Sequence, residues 1–194
     1  MEPVNTSTST LFYKKIRHYN VPGHLHFLTF SCFDRLPILT NDLWRGHLAE
    51  SLQEARRKHH VDLWAYVFMP EHVHLLVRPK KEKYGIESFL KTVKQGSSRN
   101  ILVRMKEVSS PLLDRLSVRR TGCRGQHAIW LAGPGYDMNL WTPEKIIAKA
   151  RYCHWNPVRR GLVKDPARWR WSSYRWLELG CQEDEPIPVD DWDF

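Results

Sequence analysis

The sequence predicts an α+β fold: a ferredoxin-like (RRM-like) antiparallel sheet with helices on one face, followed by a C-terminal helix that carries a tyrosine. The apolar patterns follow the order strand, helix, strand, strand, helix, strand, helix, and the first six match a split βαβ arrangement. Only Pro70–Glu71 separates the two middle strands, which indicates a hairpin. The chain of 194 residues is 42% apolar, enough for one core, and shows no internal repeat or linker.

The elements of the first half follow from local patterns. Residues 24–33, HLHFLTFSCF, are apolar and aromatic with partial alternation, which predicts the first strand. Apolar residues recur at helical spacing over residues 42–60 and predict the first helix. Residues 61–69 and 72–78 predict the two strands of the hairpin, and residues 86–105 predict the second helix.

The second half is expected to contain one more strand and the last helix. Residues 106–126 are basic and predict irregular structure, and residues 126–131 predict the fourth strand. Thr142–Pro143–Glu144 predicts a helix start, with Thr as N-cap, Pro at the first helical position and an acid in the first turn. This helix is expected to stop before Asn156–Pro157, because the residue before a proline disfavours helical angles.

Composition divides the chain into a flexible N-terminus, 1–16, a single domain, 17–180, and an acidic tail, 181–194. No apolar run approaches the roughly 20 residues of a membrane helix, and the polar start does not resemble a secretory signal. The four cysteines are scattered without a C-x-x-C pair, which argues against a thiolate zinc site or a redox motif. These features predict a cytoplasmic protein with free thiols.

The charge is high and uneven. The net charge is +9, but the tail holds six acids and no Lys or Arg, which leaves 30 basic against 15 acidic residues in the first 180. Such an excess predicts a polyanionic partner, most simply nucleic acid, although a merely soluble basic protein is the alternative. The tail is expected to be loosely held. It is also expected to compete with that partner for the basic body at low salt.

Two histidines on the predicted third strand are candidate metal ligands. His72 and His74 are two residues apart, so they share a face of the strand with Cα atoms roughly 6.5–7 Å apart. Two imidazoles so placed can converge on one divalent ion, or they can simply lie on a solvated face. His24 and His26 repeat the pattern at the start of the first strand. The apolar context of the hairpin favours His72 and His74, since polar side chains are costly there.

Tyr152 and Asn156 lie four residues apart on the predicted last helix, so their side chains share one face. An asparagine oxygen can complete a metal site with two histidines, and a tyrosine hydroxyl one turn away can then reach a substrate held at that site. The alternative is that Tyr152 is a half-buried core residue and Asn156 caps the end of the helix.

Three segments together resemble the REP-associated tyrosine transposases, single-tyrosine members of the HUH insertion-sequence transposases. They are YVFMPEHVHLLVRP, GYDMNLWTPEK and RYCHWNPVRRGLV. The opening RHYNVPGHLHFLTFSCFDRLPIL and the later WRWSSYRW are similar to the same family, so the resemblance covers roughly residues 17–177.

The resemblance implies a metal-dependent transposase that cleaves and rejoins single-stranded DNA at REP-like hairpins. It identifies His72 and His74 as ligands of Mg²⁺ or Mn²⁺, Tyr152 as the nucleophile, and Asn156 as occupying the position of a third ligand. Attack by the tyrosine gives a 5′-phosphotyrosine and a free 3′-hydroxyl, and the covalent bond retains the reactivity of the ester for rejoining. A phenol is protonated at neutral pH, so a nearby cation helps it to react.

Basic residues are expected to contact DNA phosphates. The candidates are Lys91, Lys94, Arg99, Arg115, Arg119, Arg120, Arg159 and Arg160. The expected location is the cytoplasm, in association with the nucleoid, without a membrane partner. The sequence leaves a monomer and a homodimer equally open. Two other functions are considered: a domesticated hairpin-binding protein without cleavage, and an HUH replication initiator or relaxase, which fits the single-tyrosine helix less well.

Overall fold

The computed structural model describes residues 19, 21, 24–80, 85–120, 123–181, 183 and 185–193, so the predicted flexible segment 1–16 lies outside the described residues. The strands are β1 Leu25–Ser31, β2 Val61–Phe68, β3 His72–Pro79, β4 Ser117–Arg120, β5 Cys123–His127 and β6 Tyr136–Leu140. The α-helices are α1 Asp42–His59, α2 Ile86–Glu107, α3 Leu112–Arg115, α4 Pro143–Arg159 and α5 Tyr174–Leu179. Within these described ranges, no helix has the length and apolarity needed to cross a bilayer.

Four strands form one antiparallel sheet in the order β2-β3-β1-β6. The fold class predicted from the sequence is therefore confirmed, with β6 in the place of the fourth ferredoxin-like strand. The register of β1 against β3 pairs Thr29 with His74 and Ser31 with His72. These pairs lie at the end of β3 that follows the hairpin turn.

The sheet is covered on both faces. Leu28 and Phe30 of β1 face α1 and α2, whereas Phe27 faces the cluster that contains Ile146 and Ala150 of α4. This alternation follows from the period of two in a strand. It confirms that the first two helices share one face, and it places α4, which carries Tyr152, on the opposite face. Each large apolar side chain that is fully buried in these layers contributes about 1.5–3 kcal/mol.

The position of the fourth strand was wrongly predicted. The sheet is completed by β6, while β5 pairs with β4 in a separate hairpin inside the segment that was expected to be irregular. Ile129 and Trp130, which suggested a strand, are instead buried in the core beside α2. A short apolar run does not distinguish a strand from a buried irregular segment, because both remove the same side chains from water.

The predicted end of the last helix was also wrong, because α4 continues through Pro157 to Arg159. A proline in the last turn removes only one helical N–H, and Pro157 is buried. The helix ends at Arg160, whose N–H donates to the carbonyl of Asn156 at 3.0 Å. The additional turn extends the helix beyond Asn156 and brings Arg159 onto the same side as Tyr152.

The expectation of a loosely held tail is wrong for residues 185–193. Ile187 and Val189 are buried in the core formed with α1 and α2. The N–H of Asp190 donates to the carbonyl of Leu63 at 2.8 Å, and its Oδ2 accepts from the N–H of Leu63 at 2.7 Å. The tail therefore covers the edge of β2. Since Leu63 pairs with Val77 of β3, this contact lies at the end of the hairpin away from the histidine pair.

Candidate active site

The two predicted histidines converge on the face of β3 that is covered by α4. Their Nε2 atoms lie 3.1 Å apart, and both residues are buried. The other ring nitrogen of each has a partner: His72 Nδ1 lies 3.0 Å from Glu71 Oε1, and His74 Nδ1 lies 2.7 Å from Thr29 Oγ1. With the Nδ1 atoms occupied, both Nε2 atoms point to the same place.

The surroundings keep these imidazoles neutral. Burial lowers the pKa of His74 to about 3, and the nearby cations Lys149 and Arg159 assist. Burial also lowers the pKa of His72, and the neighbouring Glu71 only partly opposes this effect. Neutral imidazoles present a lone pair to a metal without competition from a proton.

Glu71 determines which nitrogen of His72 carries the proton. Burial would raise the pKa of this carboxyl, but the hydrogen bonds from Arg160 and His72 and the positive charge of Arg160 bring it below its ordinary value. The ionised carboxylate accepts only, so His72 Nδ1 must donate to it. The Nε2 of neutral His72 is therefore unprotonated and is directed towards His74.

The helix α4 brings the two remaining predicted residues to the histidines. The side-chain amide of Asn156 lies 3.1 Å from His74 Nε2 and is buried. The ring of Tyr152 packs edge-on against the ring of His74, with 5.3 Å between centroids, and the residue is 38% exposed. The structure thus assembles all four sequence-predicted residues, and it leaves the tyrosine accessible to a substrate.

Several residues of this site were not predicted. The ring of Phe27 stacks on that of His74 at 5.3 Å and contacts Tyr152 at 5.9 Å. Lys149 Nζ lies 5.5 Å from the centroid of the Tyr152 ring. The adjacency of Glu71 to His72 and the i, i+3 spacing of Lys149 and Tyr152 were usable signals. Thr29 had no local signal, since only the pairing of β1 with β3 brings it to His74.

The second H-x-H pair is separate from this site. His26 points to the opposite face of the sheet, where its Nδ1 lies 2.9 Å from Oδ1 of Asp137, and both side chains are buried. His24 stacks on Trp141 at 5.4 Å. Neither imidazole can join His72 and His74, in agreement with the preference drawn from sequence context.

A cluster of Ser173, His154 and Glu178 resembles a hydrolase triad but lies in the core. His154 Nε2 is 3.0 Å from Ser173 Oγ, and its Nδ1 is 3.6 Å from Glu178 Oε1. Ser173 is only 1% exposed, and its Oγ accepts from the N–H of Tyr66 at 3.0 Å. This cluster therefore joins the C-terminal segment to β2 and offers no nucleophile to a substrate.

The family model for IS200-like transposases matches residues 20–115, which include β1, the hairpin and both histidines. The chain belongs to the IS200-like transposase family.

The chain also matches solved structures of transposases. One, a REP-associated tyrosine transposase bound to a REP hairpin, matches with a TM-score of 0.65 and 17% identity, over 94% of this chain and 95% of that one. Another, a putative transposase from Deinococcus radiodurans, has a TM-score of 0.45 and 21% identity, over 72% of this chain and 94% of that one. No curated protein sequence matches the chain significantly. At this identity the first similarity establishes the fold, and it includes the region of α4 that the family model does not reach.

The donor atoms at the candidate site of this transposase can be compared with those that a divalent metal requires. Among the described residues, no three His, Cys, Asp or Glu side chains are placed to hold a metal together, so the candidate centre is two imidazoles and one amide. In the structure Nδ2 of Asn156 faces His74 Nε2. Rotation of the side-chain amide by 180° would put Oδ1 in the place of Nδ2. Both histidines have second partners on Nδ1, as metal-ligating histidines usually do. The residues present therefore fit a divalent cation with places left for substrate oxygens.

The predicted DNA-contacting cations near the site are Arg159 and Arg160. Arg160 Nη1 donates to Glu71 Oε1 at 2.6 Å, and the Arg159 guanidinium lies 4.3 Å from the centroid of the Tyr152 ring. Both side chains are exposed, so they can also reach a bound phosphate. Neither was predicted to contact the residues of the candidate site.

The other predicted cations belong to the layer on the far side of the sheet. Lys91 and Arg99 are exposed on α2, and Arg115 is exposed at the end of α3. Lys94 differs, because its ammonium group donates to the carbonyls of Leu131 and Gly133, both at 2.8 Å. Arg119 and Arg120 lie in β4, and their side chains are outside what the structure describes.

Proposed function

We propose that this transposase binds DNA hairpins and cleaves and rejoins a single strand beside them through a 5′-phosphotyrosine on Tyr152. The observation that carries this proposal is the convergence of His72 and His74, with Nε2 atoms 3.1 Å apart, next to an accessible tyrosine. The similar solved transposase, which has the same fold, is bound to a REP hairpin, and this supports a hairpin as the partner here.

His72, His74 and Asn156 would hold a Mg²⁺ or Mn²⁺ ion. When bound, such an ion polarises a phosphoryl oxygen and neutralises charge that develops during transfer. Imidazole nitrogen is a softer ligand than oxygen, so the two histidines favour Mn²⁺ over Mg²⁺. The amide oxygen of Asn156 suits both ions.

The phosphoryl transfer itself needs only one nucleophile. The phenolic oxygen of Tyr152 forms a bond to phosphorus while the bond from phosphorus to the 3′ oxygen breaks. The phenol loses its proton and the leaving 3′ oxygen gains one, so the products are a 5′-phosphotyrosine and a 3′-hydroxyl. Lys149 and Arg159, which lie against the Tyr152 ring, place positive charge next to the oxygen that becomes anionic. Attack by a 3′-hydroxyl in the reverse direction restores the phosphodiester and frees the tyrosine.

The two groups of cations suit two parts of one substrate. Arg159 and Arg160 are next to the tyrosine and can contact the phosphates of the strand that is cut. Lys91, Arg99 and Arg115 can contact the backbone of the folded hairpin, together with Arg119, Arg120 and the partly engaged Lys94. This function places the protein in the cytoplasm, at the nucleoid.

The proposal is tested with end-labelled DNA that carries the hairpins flanking the gene, incubated with Mn²⁺ or Mg²⁺ and resolved on a denaturing gel. The wild type is expected to yield a free 3′ product and a covalent adduct on the 5′ side of the break. Tyr152→Phe removes only the hydroxyl, so it should retain binding and lose the adduct. Tyr174→Phe is the matched control, since Tyr174 packs against His154 away from the site and should leave the adduct unchanged.

Two outcomes contradict the proposal. An adduct formed by Tyr152→Phe would mean that another residue is the nucleophile. Tight binding by the wild type without cleavage in either metal would establish the alternative function, a domesticated hairpin-binding protein.

A further inference from the structure

We infer that a trough between α4 and β6 holds an unpaired DNA strand and leads it to Tyr152. This strand trough consists of Trp141, Lys145, Lys149 and Tyr152 on the helix side and of Phe27 and Tyr136 on the sheet side. The inference rests on the proposed function, and it adds a binding site for the single-stranded part of the substrate. None of Trp141, Lys145 and Tyr136 touches the histidine pair.

The helical repeat aligns the trough with the site. Lys145, Lys149, Tyr152 and Asn156 follow at intervals of four, three and four residues, so they lie on one face of α4. Lys145 and Tyr152 are separated by roughly 10 Å along the helix axis. Trp141 precedes the helix and is held to it by Lys145, whose Nζ lies 4.4 Å from the centroid of the indole ring.

Aromatic rings lie at both ends of the trough. Trp141 is 58% exposed beside Lys145, and Tyr136 is 49% exposed at the start of β6, the end nearer to Tyr152. The buried ring of Phe27 lies at this second end, with its centroid 6.4 Å from that of Tyr136 and 5.9 Å from that of Tyr152. Exposed rings next to cations are the surface on which unpaired bases stack, whatever their sequence.

The lysines of the trough have no carboxylate partner in the part of the chain that the structure describes. Among the described residues, Lys145 and Lys149 have aromatic rings as partners and no carboxylate: Lys149 Nζ lies 4.9 Å from the centroid of Phe27. Several cations elsewhere are neutralised, as Arg56 is by Asp190 and Arg104 is by Glu107.

The nearest acids point elsewhere. Asp137 follows Tyr136 in the chain but points to the other face of the sheet, where it contacts His26. Glu144 is next to Lys145 in sequence but about 100° away around the helix. The trough therefore offers uncompensated positive charge to an anionic ligand.

A single strand fits this surface better than a duplex does. The bases of a duplex are stacked on each other and cannot reach a protein ring, whereas unpaired bases can be splayed onto one. A base that enters displaces the Lys145 ammonium from the Trp141 ring towards the adjoining phosphate, so ring and cation serve neighbouring parts of one nucleotide. An acidic peptide would satisfy the lysines but would leave the rings exposed.

The test measures binding of fluorescein-labelled oligothymidylate and of a blunt-ended hairpin by anisotropy at several salt concentrations. Lys145→Ala should reduce the log–log salt slope for the oligothymidylate by about 0.7, the contribution of one phosphate contact. Trp141→Ala should weaken oligothymidylate binding at least about fivefold, from the loss of one stacked base. Neither change should alter binding of the blunt hairpin. Lys145→Gln, which retains the length of the side chain, should behave as Lys145→Ala does.

Matched controls lie on the same helix. Arg151 is an exposed cation about 120° from Lys145 around the axis, and Trp155 is 46% exposed and about 80° away. Arg151→Ala and Trp155→Ala should retain the wild-type slope and affinity. Equal losses in these controls, or equal losses for the blunt hairpin, would overturn the inference and indicate a diffuse cationic surface.

The outcomes separate this inference from the proposed function. Unchanged oligothymidylate binding by Trp141→Ala and Lys145→Ala, with cleavage by the wild type intact, would reject the trough and keep the transposase chemistry. Loss of binding in both variants, with Tyr152→Phe still forming an adduct, would support the trough and reject the nucleophile. The thermal unfolding temperature of each variant is measured as well. A value equal to that of the wild type shows that a loss of binding is not due to misfolding.

Discussion

Glu71 Oε1 lies 3.0 Å from His72 Nδ1 and also accepts a hydrogen bond from Arg160 Nη1 at 2.6 Å. One carboxylate oxygen thus connects a proposed metal ligand to a cation that can contact DNA. Such a carboxylate fixes the tautomer and the orientation of the imidazole, and its loss typically weakens metal affinity by about 10- to 100-fold.

We therefore expect Glu71→Ala to weaken Mn²⁺ binding by about 10- to 100-fold, as measured by isothermal titration calorimetry. Glu71→Gln should weaken it less, because the amide oxygen still accepts from His72. The control is Glu50→Ala, which removes a carboxylate that contacts His47 at 3.2 Å on an exposed turn of α1. Wild-type affinity in Glu71→Ala would exclude a positioning role.

The two H-x-H pairs should respond differently to mutation. His74→Ala should abolish tight Mn²⁺ binding. His26→Ala should retain Mn²⁺ binding but lower the free energy of unfolding by about 1–3 kcal/mol, because it removes a buried hydrogen-bond partner of Asp137. Calorimetry and urea unfolding of both variants check this contrast. A large loss of metal affinity in His26→Ala would contradict the separation of the two sites.

The sequence predicted the features that depend on local periodicity. The alternation that made residues 61–69 and 72–78 a hairpin also put His72 and His74 on one face. The helical spacing of Tyr152 and Asn156 put them on one face of α4. The fold class alone does not say on which sheet face the last helix packs, so it was the resemblance to the tyrosine transposases that brought the four residues together.

The features that the sequence did not reveal depend on tertiary packing. Thr29 reaches His74 through the register of two strands that are 45 residues apart in the chain. The fourth strand, β6, has the unremarkable sequence YDMNL at a half-exposed edge, while the more apolar residues 126–131 fill the core instead. Burial of Pro157 overrode the local preference that predicted an earlier end of α4.

The position of the tail predicts an effect on stability and none on DNA binding. Ile187→Ala should lower the free energy of unfolding by about 2–5 kcal/mol, since the side chain is fully buried. Asp190→Ala should also destabilise, because it removes the acceptor of the Leu63 N–H and the partner of Arg56. Asp191→Ala, at an exposed position, is the control. DNA affinity should not change, and tighter binding after these mutations would restore the competition expected from charge alone.

Glu185 predicts how stability depends on pH. Its side chain is 1% exposed with Arg175 Nε 3.1 Å away, and burial raises its pKa above the ordinary 4.5 although Arg175 and Arg170 partly oppose this. A carboxyl with a raised folded pKa contributes stability that is present below the unfolded pKa and is lost as pH rises through the folded value. Glu185→Gln is uncharged at every pH, so it should become more stable relative to the wild type as pH rises from about 4.5 towards neutrality.

Thermal unfolding of both proteins across this pH range provides the measurement, with the exposed Glu183→Gln as control. The gap between Glu185→Gln and the wild type should widen with pH, whereas the gap for Glu183→Gln should stay constant. A constant gap for Glu185→Gln, or one that narrows as pH rises, would mean that the ion pair with Arg175 outweighs the cost of burying the carboxylate.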